Sequence, residues 1–60
     1  MKSPTYSFDI LTQLIPVADL QIIKAITLTL RTEGELYTHA ELSRLLLEVT
    51  KRLIVITNQV

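Results

Sequence analysis

His39 is the one imidazole in the chain, and Glu35 stands four residues before it, a spacing at which two side chains share a helix face. A metal pair or an acid-base pair is the chemistry such a couple suggests. A structural zinc takes four nitrogen or sulfur ligands and a catalytic zinc three protein ligands, and the chain has no cysteine to supply the rest. His39 therefore reads as a polar residue in the first turn of a helix. Ser3, Ser7 and Ser43 carry the serine hydroxyls, yet none sits in a Gly-x-Ser-x-Gly elbow or beside a second base. The single glycine, Gly34, rules out a glycine-rich phosphate loop. These absences point away from an enzyme, and no metal or cofactor is implied.

What remains is charge. Glu41, Arg44, Glu48, Lys51 and Arg52 lie three or four apart and alternate in sign until the last two, the pattern of a solvated helix face. Arg44, Lys51 and Arg52, joined by Lys24 or Arg31, are the residues from which a basic stripe could be built. Six basic and six acidic side chains cancel over the whole chain, whereas compact nucleic-acid binders usually carry a basic excess.

The elements that position these residues must come from 60 residues, 48% apolar and 20% charged. A chain of that size is one domain, and folding buries only about 60% of the surface its unfolded form exposes. Without cysteines or a metal site, oligomerisation is the remaining supplement to stability. The uncharged stretches 10–18 and 53–60 fall far short of the roughly 20 apolar residues that span a bilayer, so no membrane is expected. No apolar h-region follows the first lysine, and the cytoplasm is the expected compartment.

Pro4, Pro16 and Gly34 punctuate the chain. Tyr6, Phe8 and Ile10 alternate with Ser7 and Asp9, which predicts a short strand or extended arm within residues 1–15. Pro16 suits a first helical turn and Asp19 complements the dipole, so a first helix is expected over residues 17–33 with Leu20, Ile23, Ile26 and Leu30 inward. Ile22, Ala25 and Leu28 widen that stripe.

Gly34 reads as a C-terminal cap. Thr38 and Glu41 have capping-box spacing, and a second helix is expected over residues 38–58. Leu42, Leu46, Val49, Leu53 and Ile56 form a heptad seam of about two and a half repeats, which favours a helix continuous through Leu47 and Glu48. The predicted fold is all-α or nearly so: an N-terminal strand or arm, then an antiparallel helical hairpin. Off-seam Ile54 and Val55 form a second apolar patch, so the hairpin is expected to dimerise into a four-helix bundle. On this reading Leu46→Asp or Leu53→Asp abolishes the dimer and the fold.

The segment from Leu20 to Leu46, with Gly34, Glu35 and Leu36 as link and Ala40, Glu41, Leu42 and Arg44 in the motif "xAELSRLL", resembles the first two helices of helix-turn-helix regulators. That resemblance implies a recognition helix over residues 49–59, with Thr50, Lys51, Arg52 and Asn58 facing the DNA groove. The chain is also similar to ribbon-helix-helix repressors and antitoxins, obligate dimers in which "SFDILTQLIP" would be the ribbon. There "THAELSRLL" would open a helix whose N-terminal amides hold a phosphate.

Two functions follow as expectations: a homodimeric DNA-binding regulator of the repressor or antitoxin kind, or a non-catalytic helical-hairpin adaptor that binds another protein. A break at Leu47 and Glu48 favours helix-turn-helix. An unbroken helix favours the ribbon or the adaptor, and a strand pairing at residues 6–10 separates those two.

Overall fold

A computed structural model describes residues 3–58. Among the described residues there are three α-helices, α1 (Phe8–Leu14), α2 (Leu20–Glu33) and α3 (His39–Asn58), and no strand. The chain is all-α. Short 3-10 turns, Ile15–Val17 and Gly34–Leu36, lie in the two links.

Where a short strand or extended arm is expected within residues 1–15, Phe8–Leu14 form a helix, residues 3–7 lead into it without regular structure, and residues 1–2 lie outside the described ones. Ser7, with extended backbone, caps the helix by accepting from the Ile10 amide at 3.3 Å, and Asp9 lies in the first turn near the positive end of the dipole. The alternation of Tyr6, Phe8 and Ile10 is overridden by a helical set: Leu11 and Ile15 are buried, Phe8 and Leu14 pack against the same core, and Tyr6 and Ile10 stay exposed. Packing at three-to-four spacing gives this segment a core, which a lone strand without a partner does not have.

α2 begins three residues later than expected. Pro16 belongs to the preceding 3-10 turn, and Asp19 is the N-cap, its Oδ1 accepting from the Ile22 amide at 2.9 Å. Gly34 follows α2 with right-handed dihedrals (φ −56°, ψ −32°) and continues into a 3-10 turn, so it ends the helix without the left-handed conformation of a glycine cap. The capping box of α3 is complete: Thr38 N–H donates to Glu41 Oε1 at 3.0 Å, and Glu41 N–H donates to Thr38 Oγ1 at 3.1 Å. α3 then runs 20 residues, unbroken through Leu47 and Glu48.

α2 and α3 pack as a hairpin, while α1 and the turn after it pack on α3. The core joins Leu11, Ile15 and Ala18 to Ile23, Ile26 and Leu30 of α2 and to Leu45 and Val49 of α3, with Leu42, Leu53 and Ile56 half-buried beside them. Of the seam expected for the core or the dimer, Leu42, Val49, Leu53 and Ile56 pack in this core. Leu45 is 0% exposed and Leu46 48%, so the inward row is Leu42, Leu45, Val49, Leu53 and Ile56. The row with Leu46 steps 4, 3, 4 and 3 as a heptad does, whereas the inward row steps 3, 4, 4 and 3; α1, packing on one flank of α3, turns Leu45 inward and leaves Leu46 outside.

Side-chain ties fix the links. Glu33 accepts from the Thr5 amide at 2.8 Å and from Thr5 Oγ1 at 2.6 Å, and buried Tyr37 donates its hydroxyl to the Tyr6 carbonyl at 2.6 Å. The chain before α1 is thereby clasped to the corner between α2 and α3.

Candidate interaction surface

Of the residues expected to read DNA, Arg44, Lys51 and Asn58 lie seven apart on one exposed face of α3, and Thr50 and Arg52 flank it on opposite sides. Arg44 and Lys51, about 60% exposed, both approach Glu48 Oε1, at 3.3 and 3.8 Å. Arg52 is half-buried, and its Nε–H donates to the Ala18 carbonyl oxygen at 2.7 Å. Thr50 is exposed but donates its hydroxyl to the Leu46 carbonyl at 2.9 Å, and exposed Asn58 is the last residue of α3. Lys51 and Arg52, with Glu48, line a hollow of about 210 Å³ against Ile15, Pro16 and Val55. Lys24 and Arg31 lie elsewhere, on a separate groove.

That groove, of about 390 Å³, is formed by α2 and α3 alone, and no residue of α1 lines it. Ile23, buried, and Leu53, half-buried, give it an apolar floor; Leu20 and Leu28, 44% and 62% exposed, stand at its rim. Thr27 also lines it and donates its hydroxyl to the Ile23 carbonyl at 2.8 Å, leaving its methyl group as apolar surface. The sequence had placed Leu20 in the core and Leu28 in a widened stripe. The hairpin instead leaves both in water.

On α3 the apolar surface continues. Leu46, Thr50 and Thr57 stand seven and three positions before Leu53 and four after it, on the same helix face. The hydroxyls of Thr50 and Thr57 donate to carbonyls of their own helix at 2.9 Å. Leu47 and Ile54, one step further round, are 47% and 55% exposed, and none of these positions is charged. The charges Glu41, Arg44, Glu48 and Lys51 occupy a different face. α3 thus has three faces: one in the core, one charged, and one apolar that the other described helices leave about half exposed.

The chemistry this surface supports is association. Leucine and isoleucine left in water gain roughly 25 cal/mol for each Å² a partner covers. Among the described residues, Lys24 and Arg31 are the only charged ones lining the groove, and neither makes an ion pair there. No three His, Cys, Asp or Glu side chains among the described residues come together as a metal site would require, and no helix there is long and apolar enough to cross a membrane. Compared with models of known protein families, with curated proteins and with solved structures, the chain matches none.

Proposed function

We propose that this chain is a non-catalytic interaction module, a helical hairpin that binds another protein through its bare apolar surface. The observation that carries the reading is the uncharged face of α3, running from Leu46 to Thr57 and continuous at Leu53 with the α2–α3 groove. Exposed apolar surface of this extent on a small domain marks a place where something docks.

The DNA-binding reading has less support. A helix-turn-helix protein needs a turn before its recognition helix, and α3 is unbroken there. A ribbon-helix-helix protein needs a strand where α1 lies. Of the expected phosphate-binding cations, Arg52 is engaged by a backbone carbonyl, and Arg44 and Lys51 share one carboxylate. A second copy seated on the same face would give the four-helix bundle expected from the heptad seam, and its association would depend on protein concentration alone.

Photo-crosslinking tests the reading. Benzoylphenylalanine at Leu28, in the native host, should give a discrete protein adduct, and the same group at exposed Gln13 on α1 should give none. Equal labelling from both sites, together with salt-sensitive binding of a labelled DNA duplex, would overturn the reading and restore the regulator.

A further inference from the structure

The proposed module has a surface but no stated partner, and the charges of the groove supply one. Lys24 and Arg31 are seven residues apart on α2, which sets them two turns, or about 10 Å, apart along the same edge. Between and opposite them the groove is apolar, through Leu20, Leu28 and Leu53. Among the described residues, no carboxylate lines it. A trough between two antiparallel helices accepts a third helix along its length, anchored by apolar side chains at three-to-four spacing.

Resting on the reading above, we infer that the α2–α3 groove receives an acidic amphipathic helix from a partner protein. Leucine-like anchors of that helix seat against Leu20, Leu28 and Leu53. Two of its carboxylates, one heptad apart, face Lys24 and Arg31. The charge pattern decides against a second copy of this chain. In a two-fold interface the same patch meets itself, and here every charged residue of the patch among the described residues is a cation, so Lys24 and Arg31 would confront their own likeness. Charges at the edge of an apolar contact act mainly on partner choice and on the rate of encounter. An acidic helix is attracted to this groove and a basic one is turned away.

A pair of fluorescein-labelled helical peptides tests this against the full chain. Both carry leucines at i, i+3 and i+7; one has glutamates seven apart beside that row, and its twin has lysines there. Fluorescence anisotropy should show the glutamate peptide binding at least tenfold more tightly at low salt. The charge-reversed variant Lys24→Glu/Arg31→Glu, shown to be helical by circular dichroism, should invert the preference. Both substitutions are at exposed positions, so the fold is expected to survive them.

Equal affinity for the two peptides overturns the acidic partner while leaving the interaction module standing. A preference that the charge reversal does not move places the binding elsewhere and also overturns the inference. So does a dimer, detected by sedimentation equilibrium, that excludes both peptides, because the groove then holds a second copy. Displacement of the peptide by a DNA duplex would overturn the inference and the module together.

Discussion

The Nε–H of Arg52 donates to the carbonyl oxygen of Ala18 at 2.7 Å, tying α3 to the link before α2 across 34 positions. Ala18 is fully buried, and it lies where the chain turns from the 3-10 turn into the cap of α2. A basic residue that the charge pattern offers to a phosphate is thus a fastener between elements.

Arg52→Met keeps an apolar stem of similar reach and leaves the Ala18 carbonyl without its donor. Loss of a buried acceptor's partner costs about 1–3 kcal/mol. Urea denaturation followed by circular dichroism should show that decrease. Arg44→Ala, which removes only an exposed ion pair, should stay within about 0.5 kcal/mol of the parent. Equal midpoints for Arg52→Met and the parent would remove the tie from the account.

Leu45 and Leu46 are adjacent and chemically identical, so they isolate the effect of burial. Leu45→Ala empties a fully enclosed position and should cost about 2–5 kcal/mol. Leu46→Asp, half-exposed, should leave the helical fold in place, contrary to the expectation from the heptad alone. Thermal melts of the two variants give the order. A Leu46→Asp chain that fails to fold would restore the original seam.

Burial, and then the negative charges of Glu33 and Glu41, push the Tyr37 phenol above its ordinary value of 10.0. Below about pH 10 the phenol is neutral in both folded and unfolded chains, and its contribution is fully present. As pH rises past that value the unfolded chain loses the proton first, so stability falls until the folded pKa is passed. Tyr37→Phe should cost about 1 kcal/mol at neutral pH through the lost bond to the Tyr6 carbonyl. It should also flatten the alkaline decline. An identical decline in Tyr37→Phe would assign it to other groups.

Gly34 has the dihedrals of a right-handed helix, and a β-carbon placed there meets only the Leu42 methyl groups, at 3.6 and 3.9 Å. Those are ordinary contact distances. Gly34→Ala should therefore stabilise the chain by about 0.4–1 kcal/mol, because it restricts the unfolded state without straining the folded one. A lower melting temperature would mean that the corner needs the glycine after all.

The parts of this fold legible from sequence are those set by residues close together in the chain. Thr38 and Glu41 are three apart and both their bonds form, and the unbroken helix through Leu47 and Glu48 follows from the absence of any breaker. Asp19 was recognised as an N-terminal charge, though its work as the cap itself was not. α1 is hidden because its sequence carries two patterns at once, the alternation of Tyr6, Phe8 and Ile10 and the helical spacing of Phe8, Leu11 and Ile15; the cap Ser7 followed by Asp9 is the signal that favours the helix. The choice between Leu45 and Leu46, and the exposure of Leu20 and Leu28, depend on which flank of the hairpin α1 covers. That is long-range information, and no periodicity within α2 or α3 contains it.

Seven residues are too few for an isolated helix to persist in water, since nucleation outweighs the two or so turns that follow. α1 therefore depends on its docking, which the bonds of Thr5 to Glu33 and of Tyr37 to the Tyr6 carbonyl support. The bonds that clasp the segments flanking α1 to the rest of the chain span 28 to 34 positions. α1 and the turn after it act as a latch on the hairpin, and their undocking would uncover Leu11 and Ile15.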